Sequence, residues 1–133
     1  MEIKKFEEKY LDSLNELLFQ CFSVEKEGKT AQSDIELIAV SEDKVVGYLV
    51  LNRMVDSIKD QNYFHVNYVC THPDFRGQHI ATKLFEVVFD ICRKENISYL
   101  ELTSNPSRIA AHHLYHKLGF QVRNTTVFRK EIL

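Results

Sequence analysis

The sequence predicts an α/β (α+β) fold, a mixed and mostly antiparallel central sheet of about six to seven strands flanked by helices. Three observations carry that expectation. Apolar residues recur at helical spacing in two long segments and one shorter one. Between them lie β-branched and aromatic runs without that period. Strands alternate with helices only in the second half of the chain, so the sheet is expected to be mixed. A length of 133 residues suits one domain spanning 1–133, and no repeat, low-complexity tract or linker marks an internal boundary.

Taken in order, residues 1–5 read as a short first strand. Leu11, Leu14, Leu18 and Phe22 then fall on one helical face over residues 8–22, with Leu17 and Cys21 beside them. The polar stretch around Gly28 reads as a loop or short helix. IELIAV and VVGYLVLNRM read as two strands joined by a turn at Ser41–Lys44, and residues 62–71 as a third long strand. Pro73 and Gly77 break the chain. Ile80, Leu84, Val87, Val88 and Ile91 define a helix that closes on Arg93 and Lys94, where cations suit the dipole. ISYLELT is a strand. SNPSRIAAHHLYHKLGF is a helix with Asn105 as N-cap, Pro106 at its first position and Gly119 at its end. FQVRNTTVFRKEIL closes the chain as a strand or hairpin.

Composition excludes several classes. Hydrophobic residues at 44% and charged residues at 27% are those of a folded globular chain. Seventeen Lys+Arg against 19 Asp+Glu leave no basic surplus for a dedicated nucleic-acid binder. The apolar runs are far shorter than the roughly 20 residues that span a bilayer. MEIKKFEEKY carries no apolar signal region. Cys21, Cys70 and Cys92 are odd in number, far apart and outside any CxxC, which suits the reduced thiols of a cytoplasmic protein. Only four glycines occur, at 28, 47, 77 and 119, so each is expected to have a structural reason.

The sharpest chemistry lies between Tyr68 and Leu84. A strand ends, Arg76-Gly77-Gln78-His79-Ile80-Ala81 forms a short loop, and a helix begins. The first N–H groups of a helix lack internal partners, and its dipole is positive there. Such a turn cradles anions, a pyrophosphate above all, with Arg76, Lys83 and His79 adding positive charge. The plain alternative is a strand–helix turn with a solvated Arg. Neither GxxxxGK[ST] nor GxGxxG is present. In the last helix Tyr115 can donate a proton to a developing anion or pack in the core. His112 and His116 have the i,i+4 spacing of metal ligands, but no HExxH or third ligand accompanies them, so no metal is expected.

VCTHPDFRGQHIATKL and SRIAAHHLYHKLGF together resemble the GCN5-related N-acetyltransferase (GNAT) superfamily, and the resemblance covers nearly the whole chain. It implies a GNAT-like acyl-CoA N-acyltransferase fold and acetyl transfer from acetyl-CoA, as cosubstrate, to an amine. Val69, Cys70 and Thr71 match the strand that meets the pantetheine arm. Arg76, Gly77, Gln78, His79, Ile80, Ala81 and Thr82 match the pyrophosphate loop. Asn105 and Arg108 match polar positions near the cofactor, and Tyr115 matches the acid that protonates the departing thiolate. The family loop usually reads [QR]xxGx[GA]; His79 stands at its central Gly, and a helical backbone there accommodates it.

Asn67 occupies the position where relatives often carry a Glu, and an amide is no base. Glu101 is the best replacement, His65 the second, and ordered water a third route. Each side chain equally fits a hydrogen-bonded structural role. The expected partner is a small-molecule or peptide amine, with substrate specificity in Val24–Ser33 and Arg123–Thr126. A homodimer is expected by analogy with short relatives. A CoA-binding sensor or partner module without turnover is the competing expectation.

Overall fold

In the computed structural model, which describes residues 1–133, the helical spacing near the N-terminus becomes α1, Leu11–Phe22, entered through a 3-10 turn at Glu8–Tyr10. Leu14, Leu17 and Leu18 form its buried side. The helix stops at Ser23, whose left-handed backbone (φ 56°) lets its N–H donate to the Phe19 carbonyl at 2.9 Å. In α2, Ile80–Lys94, the buried residues Ile80, Leu84, Phe85 and Val88 make one apolar stripe.

The strands are β1 (Glu2–Lys5), β2 (Ile35–Ser41), β3 (Lys44–Asp56), β4 (Gln61–Thr71) and β5 (Tyr99–Glu101). They lie side by side in sequence order, antiparallel except for the parallel β4–β5 pair that α2 connects. Glu42 (φ 50°) and Asp43 (φ 61°) are both left-handed, as a tight hairpin between β2 and β3 requires. α1 packs with Ile38, Val40, Val45, Tyr48 and Cys70 on one face of the sheet. Gly47 turns to the other face and meets Ile80 and Leu84 of α2. With helices on both faces, β2 is buried along nearly its whole length, which explains why IELIAV is almost continuously apolar. Each fully buried side chain such as Leu14, Leu49, Phe64 or Phe85 contributes about 1.5–3 kcal/mol.

These elements make up one compact unit, Met1–Thr103; Ser104–Leu133 form a second, which contains α3 (Ile109–Lys117). The mixed, mostly antiparallel sheet with flanking helices is as expected, but it has five strands rather than about six to seven. ISYLELT pairs only over Tyr99–Glu101, and residues 120–133 form neither strand nor hairpin. Val122, Val127, Phe128 and Ile132 have strand-forming side chains but are exposed. Strand propensity acts through neighbouring strands, and here no ladder partner is present to express it.

Candidate functional site

The site begins with an irregularity in β4. Tyr48 pairs with Cys70, but Val50 pairs with Asn67, so β4 carries one residue more than β3 across this interval. Tyr68 absorbs it with a left-handed backbone (φ 55°), and its half-exposed ring stands edge-on to Phe22 at 5.4 Å. The β5 ladder ends at the His65–Glu101 pair, while β4 continues to Thr71. Val69 and Cys70 are buried at this end of the strand, and the Thr71 carbonyl accepts from the Cys21 thiol at 3.8 Å.

The strand then turns sharply. The His72 N–H donates to the Val46 carbonyl at 2.8 Å, and its Nδ1 accepts from the Asp74 N–H at 3.1 Å. This buried imidazole caps a 3-10 turn at Pro73–Phe75, a role its sequence context did not reveal. Arg76 follows in extended form, then Gly77 at φ 82°, then His79 at φ 61°. Arg76, Gly77, Gln78 and His79 are exposed, Ile80 is buried, and Ala81 and Thr82 are partly buried. No side chain caps α2; Lys83 is bonded to the His79 carbonyl at 3.0 Å, so the N–H groups ahead of it start the helix without such a bond. The expectation of a helical His79 is corrected here: the position takes the left-handed backbone that favours glycine, with a histidine in it. His is among the residues that enter this region more readily than most.

Gly47 sets how closely this helix start approaches the sheet. A Cβ there would lie 2.6 Å from the Ile80 Cγ2 and 3.2 Å from the Leu84 Cδ1.

The candidate bases occupy a polar row. Asn52 pairs with His65, and His65 with Glu101, so the two candidates are neighbours on adjacent strands and share a face. Glu101 is exposed and His65 half-buried. Asn67 is held by donating its amide to Asn52 Oδ1. Asn52 donates in turn to Asp34 Oδ2 at 2.9 Å, while Asp34 Oδ1 accepts the Arg53 N–H at 3.1 Å.

A second polar group was missed by sequence reasoning. Glu36 of β2 is only 6% exposed; the Tyr48 hydroxyl donates to its Oε1, and Lys26 Nζ lies 3.2 Å from the same oxygen. Oε2 is buried without a hydrogen-bond partner. Burial first, then donation to Glu36, push the Tyr48 phenol far above its usual value, so it is a fixed donor. Both residues line a cavity of about 740 Å3 bounded by α1, residues 23–31 and Tyr68. The available signal was a single carboxylate inside the apolar run IELIAV.

In the second unit, Asn105 does not cap a helix. Its Oδ1 accepts from the Ser107 N–H at 2.9 Å and its carbonyl from the Arg108 N–H at 3.0 Å, forming a local turn. α3 therefore starts at Ile109, with Arg108 as N-cap. Its other end is tightly specified. Phe120 N–H donates to the Tyr115 carbonyl at 2.9 Å and Gly119 N–H to the His116 carbonyl at 3.1 Å, with Gly119 at φ 95°. This is a Schellman closure, and its hydrophobic contact is the Tyr115–Phe120 ring pair at 5.7 Å. Leu118-Gly119-Phe120 thus orients the buried Tyr115. Half-buried His112 has an Nε2 without a hydrogen-bond partner, and no group of three metal-capable side chains gathers around His112 and His116.

Comparison with known proteins adds a family-level finding. A sequence model of the Acetyltransferase (GNAT) family matches residues 2–120. No curated protein sequence matches the chain. Among solved structures, the fold is similar to a transcriptional regulator from Bacillus halodurans C-125, with 18% identity, a TM-score of 0.86, and coverage of 98% of this chain and 99% of that one. It is similar to the ribosomal-protein-alanine N-acetyltransferase of Brucella melitensis biovar Abortus 2308, at 16% identity, TM-score 0.82, and 99% and 100% coverage. It is also similar to an aminoglycoside 6'-N-acetyltransferase of Acinetobacter haemolyticus, at 15% identity, TM-score 0.79, and 100% and 99% coverage. At these identities the likeness is one of fold.

Proposed function

The chain belongs to the acetyltransferase (GNAT) family, and from that premise we propose that it transfers the acetyl group of acetyl-CoA to a primary amine of a small molecule or peptide by direct attack. The observation that carries this reading is the turn from β4 into α2. Gly77 and His79 are left-handed, Arg76 is exposed, and no side chain caps the helix, so its N–H groups and positive dipole end suit the diphosphate of CoA. Arg76, Gly77, Gln78, His79, Ile80, Ala81 and Thr82 hold that diphosphate; Val69, Cys70 and Thr71 meet the pantetheine arm; Asn105 and Arg108 contact the cofactor. No metal takes part.

The acceptor must lose a proton to attack. Glu101, or water held beside it, accepts that proton. The amine nitrogen forms the amide bond as the C–S bond breaks, and the Tyr115 hydroxyl gives the departing thiolate its proton. The whole chain, 1–133, works as one GNAT-like N-acetyltransferase in the cytoplasm, as a homodimer; the three free cysteines are consistent with a reducing compartment.

The test is release of free thiol from acetyl-CoA across a panel of primary amines. Tyr115→Phe is expected to lower kcat while leaving CoA affinity within about threefold, because the lost group acts on the leaving thiolate rather than on binding. Tight CoA binding with no thiol release for any amine would refute the transfer reading and make the protein a CoA-binding module. An unchanged kcat in Tyr115→Phe across the pH profile would remove Tyr115 as the acid.

A further inference from the structure

We propose that the Glu36 carboxylate determines acceptor specificity, selecting an alkylamine that carries a second ammonium group. The inference rests on the acetyl-transfer reading for the reaction, and on the 1–103 unit alone for the site. A carboxylate withdrawn from water requires complete pairing. Glu36 has it on one oxygen only: Tyr48 donates to Oε1 and Lys26 Nζ lies 3.2 Å from it, while Oε2 is buried and unsatisfied. The cation that the chain itself places there is a primary ammonium on a flexible alkyl stem. Lys26 comes from the loop wall of the cavity rather than from the sheet, and its ammonium otherwise donates to Thr30 Oγ1 at 3.3 Å and lies 5.6 Å from the centre of the Phe6 ring. It therefore marks the ligand chemistry that Glu36 accepts, and a ligand ammonium exchanges with it.

The cavity favours the same class. Glu25, Glu27, Asp34 and Glu36 line it against Lys26 and Lys29, a net negative wall that attracts cations. The exposed rings of Phe19 and Tyr68 offer further attraction for an ammonium and its alkyl stem. Glu36 pairs with Val50, and Val50 with Asn67, so the carboxylate shares a row with the residue that precedes the β4 bulge. Two strand spacings separate the anchoring carboxylate from β4 by roughly 10 Å. That distance calls for a second charge remote from the reacting nitrogen, on a linear stem.

The experiment is calorimetric titration of the CoA-loaded full chain with 1,5-diaminopentane and with 5-aminopentan-1-ol, alongside thiol release with both. The diamine is expected to bind at least about tenfold more tightly than the amino alcohol, the scale of one charge-assisted hydrogen bond. Glu36→Gln is expected to erase that preference while changing amino-alcohol binding by less than about threefold. Lys26→Gln is expected to raise diamine affinity, since it removes the internal competitor. Glu36→Asp, which keeps the charge, retains part of the preference and serves if Glu36→Gln does not fold. Equal binding of the two amines by the native protein, a preference that survives Glu36→Gln, or weaker diamine binding in Lys26→Gln would each overturn the proposal. Diamine binding without thiol release refutes acetyl transfer but keeps the cation site. Thiol release with the same kcat/KM for both amines refutes the cation site but keeps acetyl transfer.

Discussion

Gly47→Ala tests the link between packing and cofactor binding. The added Cβ would sit 2.6 Å from Ile80 Cγ2, at least 0.8 Å inside the 3.4 Å at which ordinary contacts begin. The obstacle is neither mobile nor terminal. Ile80 is buried, β-branched and the first residue of α2, and Leu84 Cδ1 and Ala39 Cβ crowd the same point at 3.2 and 3.3 Å. Relief requires the first turn of α2 to move away from β3, and overpacking of this kind costs about 1–3 kcal/mol. An unfolding entropy of about 2.1 cal/mol/K per residue over 133 residues makes each kcal/mol worth roughly 3.6 °C, so Tm should fall by about 4–11 °C in a calorimetric scan. CoA affinity should weaken in the same variant, because the displaced turn is the one proposed to hold the diphosphate. Gly28→Ala, with nothing within 4 Å of the new Cβ, is the control and should stay within about 0.5 kcal/mol of the native chain. A Gly47→Ala protein with native Tm and native CoA affinity would refute the reasoning that the bare backbone at position 47 seats the helix.

Other expectations follow from single positions. His79→Gly should be neutral or stabilising by about 1 kcal/mol, because relief of left-handed strain exceeds the entropy cost of glycine; His79→Val should be less stable than the native chain, and denaturant midpoints order the three. Gly119→Ala should weaken the closure of α3 by about 1–2 kcal/mol, seen as faster hydrogen exchange at the Phe120 amide. Tyr48 has a folded pKa raised above the unfolded value of about 10, so its contribution to stability is present below about pH 10 and lost as pH rises beyond it. Tyr48→Phe should therefore flatten the alkaline fall in stability, and absorbance titration should show one fewer phenol that ionises only on unfolding. An unaltered alkaline profile would contradict the buried bond to Glu36.

The parts legible in the sequence were those written in local period. α2 announced itself through Ile80, Leu84 and Val88, and the end of α3 through Gly119, because both signals lie within a few residues of what they control. Asn105 misled because an N-cap and a local turn use the same side-chain oxygen on an N–H two residues ahead. His79 was ambiguous because a histidine fits a helical or a left-handed backbone, and its neighbours in sequence do not choose between them. The tail from Phe120 carries strand-forming side chains, but pairing is a property of two segments and one segment cannot specify it. Glu36 was hidden for a related reason: its partners Lys26 and Tyr48 reach it from a loop and a neighbouring strand.

The extra residue in β4 also fixes what can be edited. On the N-terminal side of Tyr68, the odd positions His65 and Asn67 face α1; beyond it, the even position Cys70 does. The bulge is thus a parity change written into the strand. Deleting one residue there would not merely shorten β4. It would restore unbroken alternation while leaving Cys70 opposite Tyr48 on the α1 face and Thr71 opposite Gly47, so what is lost is the left-handed kink and the ring of Tyr68 rather than the register. Removal of Tyr68 should thus keep the Tyr48–Cys70 pairing, whereas deleting one residue elsewhere in β4, outside the bulge, would turn the rest of the strand over.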